Sequence, residues 1–389
     1  MKTRVSVVSL CLIAISSAAP ADAPWKKQVV TTDFLTEGLS VGDLDGDGVK
    51  DLVAGAFWFK GPSFKERKQF TEGKAQPPTV YQEDSFLSWV EDFNGDGRND
   101  ILMASHPGKN LTLFLNPGKD GIWPAHVVMT EAATECPYWI DIDGDRKKEF
   151  VCMQGGKFGY AVPDWKDVTK PWNFVAISEK RTDTPYIHGL GVGDLNGDGR
   201  MDILEKDGWF EQLATKDTGW TWHKEPFAGQ GGSQMLVFDA DGDGDNDVIT
   251  SLNAHGYGLA WYENVKKDGN VTFTRHDILP EDPAKTGEGG LQLSQLHSLA
   301  SADFDGDGRM DFVTGKRYFA HNEHDPGSLD PALTVIFYNR KDGKSVHWQA
   351  SVIDSDTGIG CQVQAVDLNG NGKPDVAVGS KKGVQLITR

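Results

Sequence analysis

Asp303-Phe-Asp-Gly-Asp-Gly-Arg-Met-Asp311 is the stretch on which the fold turns. Carboxylates at loop positions 1, 3 and 5 converge on one point only if the backbone curls tightly around it. Gly308 at position 6 supplies the turn, the carbonyl of position 7 adds an oxygen, and Asp311 at position 9 closes the cage. Hard oxygen ligands in that number suit Ca²⁺ better than Mg²⁺ or zinc. An EF-hand would carry helices on both sides of such a loop. Here residues 299–302 precede it and Phe312-Val313 follow, short apolar runs that read as strands.

Six further loops begin at Asp43, Asp92, Asp141, Asp194, Asp239 and Asp367, so successive first residues lie 49, 49, 53, 45, 64 and 64 apart. Periods of that length in a β-rich chain indicate propeller blades. More than the loop repeats. Asp202 is followed by Ile203-Leu204, Trp209-Phe210 and Trp220-Thr-Trp; Asp247 is followed by Val248-Ile249, Trp261-Tyr262 and Val271-Thr-Phe. A loop, a second strand, an aromatic third strand ending near Asn or Gln, and an outer fourth strand make one blade. After the seventh loop only the runs 376–378 and 383–387 remain, while Trp25-Lys-Lys-Gln-Val-Val30 precedes the first loop with no blade of its own. Trp25 stands 18 residues before Asp43 and Trp348 stands 19 before Asp367, so the N-terminal run is expected to complete the last blade. That pairing closes the ring and removes exposed edges. The expected fold is all-β, a seven-bladed β-propeller of four-stranded blades; an open solenoid is the other arrangement such repeats could form.

Lys2 and Arg4, an apolar run from Val5 to Ile15 and an Ala21-Asp-Ala23 exit have the order of a secretory signal peptide, and the run falls short of the about 20 residues that span a bilayer. The expected division is 1–21 signal peptide and 22–389 propeller, secreted or periplasmic. Cys136 and Cys152 flank the third loop; with residue 140 opposite 150, Cys152 lies diagonal to Cys136, and two buried thiols are expected rather than a bridge. The formal charge is −18, but 24 carboxylates occupy loop positions 1, 3, 5 and 9, so the acidity belongs to metal cages. With no basic stripe to neutralise phosphates, nucleic acid is not an expected partner.

The cages differ. Loop one (Asp43, Asp45, Asp47, Asp51), loop five (Asp239, Asp241, Asp243, Asp247) and loop six (Asp303, Asp305, Asp307, Asp311) have four Asp each and should bind best. Loop two (Asp92, Asn94, Asp96, Asp100) and loop four (Asp194, Asn196, Asp198, Asp202) exchange one charge for an amide oxygen. Loop seven (Asp367, Asn369, Asn371, Asp375) keeps two carboxylates and should bind more weakly. In loop three Arg146 takes the turn glycine's place beside Lys147 and Lys148, so that loop is expected to be empty or distorted, leaving about six calcium sites of structural use.

Asp43-Leu-Asp-Gly-Asp-Gly48 and its copies resemble FG-GAP/VCBS repeats, as in the integrin α propeller. Tyr186-Ile-His-Gly-Leu-Gly191, Ala254-His-Gly-Tyr-Gly-Leu-Ala-Trp-Tyr262 and Gly315-Lys-Arg-Tyr-Phe-Ala-His-Asn-Glu-His-Asp-Pro326 are similar to the propeller domain of aldos-2-ulose dehydratase and its secreted bacterial relatives. That resemblance implies a sugar-derived ketone, water elimination, a zinc-bearing cleft and loop ions. The chain departs from the family in lacking cupin domains, so a partner protein supplying a second domain stays open.

The loops join the first strand of each blade to the second, which puts strand entries and second-to-third links on the opposite face. His188 and His297 each stand six residues before their loop's first Asp, His255 falls in the link of blade five, and Lys316, Arg317, His321 and His324 fall in that of blade six. The extra residues of the two long spacings, around 280–294 and 318–331, lie on the same side. His188, His255 and His297 are the expected zinc ligands, since three His with an open position make a catalytic arrangement. His188, His321 and His324 are candidate bases, and Lys316 or Arg317 a candidate to stabilise an enolate. Two functions follow: a lyase or dehydratase on a keto-sugar, or a non-enzymatic propeller that recognises glycan or protein.

Overall fold

Loop six joins Ala300–Ala302 to Asp311–Gly315, which pairs with Thr334–Asp342 and then with Ser345–Asp354, all antiparallel and in sequence order. The computed structural model describes residues 24–214, 219–266, 270–343 and 345–389; the signal segment 1–21 lies outside them. Four other sheets have four strands, and one has seven. The seven-stranded sheet serves two repeats through one 16-residue strand, Ala125–Ile140. Its first part pairs with Lys109–Phe114 and its last with Glu149–Gln154. In the last sheet the order is Lys26–Thr31, Gly383–Thr388, Asp375–Ser380, Val363–Val366, so the N-terminal strand does supply the outer edge there. The described residues are thus all-β, with two 3₁₀ turns at Glu288–Gly290 and Ala320–Glu323, and the blade-like sheets fit a propeller.

Second strands such as Asp100–Ala104, Asp247–Ser251 and Asp311–Gly315 are buried at every position. Sheets pack against both of their faces, so their sequences run apolar instead of alternating. Lys26–Thr31, on an outer edge, is mostly exposed. Seven apolar clusters fill the spaces between consecutive repeats. One of them packs Leu39 and Leu52 of the first repeat on Ala377 and Leu386 of the last. Between repeats five and six, Phe312 stacks on Phe337 at 4.9 Å and meets the edge of Trp348 at 5.0 Å. Trp209, Trp261 and Tyr262 are buried in these clusters, as packing groups.

Position 9 of each loop does more than close a cage. Asp311 accepts the Phe304 N–H on Oδ2 at 2.9 Å and the Asn339 N–H on Oδ1 at 2.8 Å, pinning the loop to the third strand. Asp51, Asp100, Asp202 and Asp247 do the same in their repeats. The Asn or Gln of the third strand then reaches the preceding repeat. Asn116, Gln212, Asn264 and Asn339 donate to the carbonyls of Leu44, Ile142, Leu195 and Ala240, the second residue of the neighbouring loop each time.

The expected register beside loop three needs correction. Ile140 pairs with Glu149, not with residue 150, and the register shifts again after Val151. A one-residue slip turns a side chain to the other face. Cys152 therefore packs beside Met129 while Cys136 enters the cluster on the other side, and both, with Cys361, are free buried thiols. Loop three, expected to be empty or distorted, keeps the turn: Arg146 itself takes φ 71°, and its N–H reaches Asp141 at 2.9 Å as a glycine would. Among the described residues no helix is long and apolar enough to cross a membrane.

Candidate metal centres

In the loops the first Asp organises the turn. Asp303 Oδ1 accepts from Gly306 and Asp307, and Oδ2 from Gly308, within 2.7–3.1 Å. Gly308 at φ 87° makes this curl. Carboxylate oxygens of Asp43, Asp45 and Asp51, of Asp239, Asp241 and Asp247, and of Asp141, Asp143 and Glu149 lie within 4.8 Å of one another, close enough to share a cation. Neighbouring side chains already face some cages: Arg309 bonds to Asp307, Arg340 reaches Asp305 at 2.6 Å, and Lys60 bonds to Asp45 and Asp47. These cationic groups stand where part of an ion's charge would be felt. The oxygen donors and their spacing fit Ca²⁺.

At the opposite strand ends three imidazoles meet. His188 and His297 precede the first strands of repeats four and six, and His255 sits between Asp247–Ser251 and Leu259–Asn264. Their ligating nitrogens lie within 4.8 Å of one another, with His188 Nε2 and His255 Nε2 2.8 Å apart. Hydrogen bonds set the tautomers. His297 Nδ1 faces the Gln295 carbonyl at 3.1 Å and must carry its proton, which leaves Nε2 a lone pair; that atom is buried and has no partner. His255 Nδ1 donates to Asp325 at 2.9 Å, so its Nε2 also presents a lone pair to the centre. Burial lowers the pKa of all three, most for His297, where the Arg317 charge adds to it. His188 Nε2 is then the donor in the 2.8 Å contact with His255, so two rings present inward lone pairs and the third would give up its Nε2 proton on binding a borderline cation such as zinc; a carboxylate behind a ligating His fixes the ring.

Beneath the cluster lies a buried charge network. Arg317 pairs with Glu37 at 3.2 Å and lies 3.7 Å from Glu135, whose Oε2 is 3.9 Å from His188 and 3.6 Å from Cys361 Sγ. Burial works against ionised Glu135, yet His188 when protonated and the permanent charge of Arg317 outweigh it and hold the pKa below the usual range. Glu37, Glu135 and Asp325 stand against Arg317 and the buried Lys381, whose charge also acts on Glu37, and this excess of carboxylates beside the imidazoles favours a bound cation there. Of nine non-glycine residues with positive φ among the described residues, Thr134, Gln295, Phe319, His321, Asn322 and Glu323 adjoin this region. Concentrated backbone strain of this kind is typical of binding sites.

The expected residues divide. His188, His255 and His297 come together. His321 stacks on His255 at 4.3 Å and bonds to Asp325 at 3.1 Å, its side chain 46% exposed. Arg317 makes no hydrogen bond to the imidazoles; it pairs with the carboxylates beneath them and acts on His297 through its charge. Lys316 does not face it: its ammonium is bound to the carbonyls of Gly327 and Asp330, a strut for the 318–331 insertion. His324 makes a backbone bond to His321 and no side-chain bond to the cluster. Glu37, Glu135 and Asp325 went unread in the sequence, although a signal existed. Glu37, Phe86, Glu135, His188, Ser233, His297 and Cys361 each stand six residues before the first Asp of their loop, and all are buried.

A model of the FG-GAP-like repeat matches residues 92–152 and 239–314, in keeping with the loop pattern. The chain is similar in fold to a lectin from Agrocybe aegerita described by its specific recognition of non-reducing terminal N-acetylglucosamine. The two are 16% identical over 94% of this chain and 85% of the lectin, with a TM-score of 0.51. It is also similar to virginiamycin B lyase from Staphylococcus aureus, 11% identical over 94% of this chain and 99% of that one, TM-score 0.50. At such identities the likeness is one of fold.

Proposed function

We propose that the repeats form a closed seven-bladed propeller, exported by way of residues 1–21, with Ca²⁺ in about six loops on one face and a carbohydrate-directed metal centre on the other. Apolar packing between the first and last repeats and the pairing of Lys26–Thr31 with Gly383–Thr388 support closure. The observation that carries the centre is the buried, unpartnered Nε2 of His297, aimed at a site shared with His188 and His255. Leaving such a group unsatisfied in the interior costs about 1–3 kcal/mol, which a ligand would recover.

Zinc held there would polarise a ketone oxygen of a sugar derivative and acidify the adjacent C–H. His188, His255 and His297 would hold the cation, Asp325 would fix the His255 ring, and the half-exposed His321 imidazole would take the proton. The C–H electron pair would form the new double bond as the β C–O bond breaks, and His321 would return the proton to the departing oxygen, releasing water or the alcohol of the glycosidic bond and leaving an enone. Incubating the zinc-supplied protein with 1,5-anhydrofructose and 3-keto-glycosides, while following enone absorbance, tests this; a flat trace sinks the lyase. The alternative, a recognition propeller that binds glycan without turnover, is supported by the fold likeness to the lectin. It predicts sugar binding without a chemical change.

A further inference from the structure

A cavity of about 280 Å³ opens beside His188, outside the imidazole cluster. Tyr186, Arg181, Glu205, Lys206 and Asp207 line it together with His188. Its walls are built in advance. The Arg181 guanidinium lies 4.2 Å over the Trp222 ring and donates to the buried Glu205 carboxylate at 2.6 Å. Glu205 also accepts the Asp207 N–H at 3.2 Å, and Lys206 bonds to Asp207 at 2.7 Å. Tyr186 stands at the rim, 49% exposed, its ring 5.2 Å from that of His106.

Size, charge and shape select a ligand. The volume lies at the small end of ligand pockets, which run from about 300 Å³ upward, so it admits one ring and not a chain. Two cations face two carboxylates, so the walls offer donors and acceptors with no net charge. An anionic sugar would meet Glu205 and Asp207 with nothing in excess to neutralise it; a neutral polyol meets donors and acceptors from Arg181, Glu205, Lys206 and Asp207, and apolar surface from Phe158 and Ile187. An exposed aromatic ring beside such groups gives the apolar face of a pyranose a surface to lie on. We infer that this cavity is a subsite for one neutral hexopyranose ring, adjacent to the group held at His188, His255 and His297. The inference rests on the carbohydrate-directed reading of that centre and names the part of the ligand that does not react.

Saturation-transfer NMR titrations test it on the metal-supplied full chain. The probes are the methyl glycosides of glucose, galactose, mannose and N-acetylglucosamine, with methyl β-D-glucuronide as the anionic probe. At least one neutral glycoside should bind, glucuronide should bind at least tenfold more weakly, and Tyr186→Ala and Asp207→Asn should each weaken the neutral probe about tenfold or more. Both substitutions are at solvent-facing positions, and an unchanged melting temperature checks folding. Failure of every neutral glycoside to bind, tighter binding of glucuronide, or unchanged affinity in both variants overturns the subsite. Metal content of the same samples separates the two readings. Metal retained without glycoside binding removes the subsite and leaves the centre; glycoside binding without retained metal does the reverse.

Discussion

His297 carries the most specific information in the molecule, because its two nitrogens have opposite fates. Nδ1 is fixed as a donor by the Gln295 carbonyl, and Nε2 is buried with nothing to bind. Replacing His297 by Ala should abolish tight transition-metal binding, whereas Asp325→Asn, which leaves all three ligands, should weaken it about 10–100-fold by loosening His255. Metal-competition titrations measure both; equal affinity in wild type and Asp325→Asn would remove the role given to the carboxylate. The three histidines were legible in the sequence because two share a repeat position and the third falls in a neighbouring link. Lys316 was misread for a physical reason: a residue's face is set by repeat position, but its contact depends on what the 318–331 insertion offers. Here that insertion presents two carbonyls to the ammonium. Glu37 and Glu135 were missed because acidic residues in this chain read as loop ligands, although their place six residues before a loop matches His188 and His297.

At the scale of the element, the loop and the third strand form one unit through the buried carboxylate at position 9. Asp311→Asn keeps the shape but sets an amide N–H against a backbone N–H, Phe304's or Asn339's. The expected cost is about 1–3 kcal/mol in urea denaturation, and no change would mean that the pinning is incidental. The same burial raises these carboxyls in metal-free protein, Asp202 to about 7 and Asp100, Asp247 and Asp311 to about 6, against backbone N–H bonds that pull the other way. Folded, chelated protein then holds protons that the unfolded chain has released. Its stability from these groups is fully present below the ordinary carboxylate range near 4, and falls as pH rises towards 7. Calcium needs the deprotonated forms, so the gap in melting temperature between calcium-loaded and chelated protein should widen from pH 5 to pH 7.5. A gap that stays constant would contradict metal binding at these residues. Loop periodicity made the strands readable, but not the register beside loop three. The sequence pattern does not show where the Ala125–Ile140 strand bends, and positive φ at Glu131 and Thr134 shifts the pairing there.

For the whole molecule, the unit is the contact between neighbouring repeats, and the N-terminal strand joins the two chain ends. Removing residues 24–31 would expose Gly383–Thr388 as an edge and uncover part of the packing between the first and last repeats. The truncated chain should melt at a markedly lower temperature and aggregate, as light scattering during a thermal ramp would reveal; unchanged melting would argue for an open array. The four-stranded repeats and the completed last sheet were readable from loop spacing together with the apolar signature that each strand carries. The chemistry was less readable, since it depends on side chains brought together from repeats far apart in the chain.

Co²⁺ would report on a metal centre at His188, His255 and His297, on the face away from the loops, through its visible spectrum. Calcium-replete, otherwise metal-free protein titrated with Co²⁺ should develop visible d–d absorption that saturates at one equivalent, and His297→Ala should lack it while retaining the calcium-dependent melting temperature. Absence of those bands in the wild type, or the same bands in the variant, would contradict a site built from His188, His255 and His297.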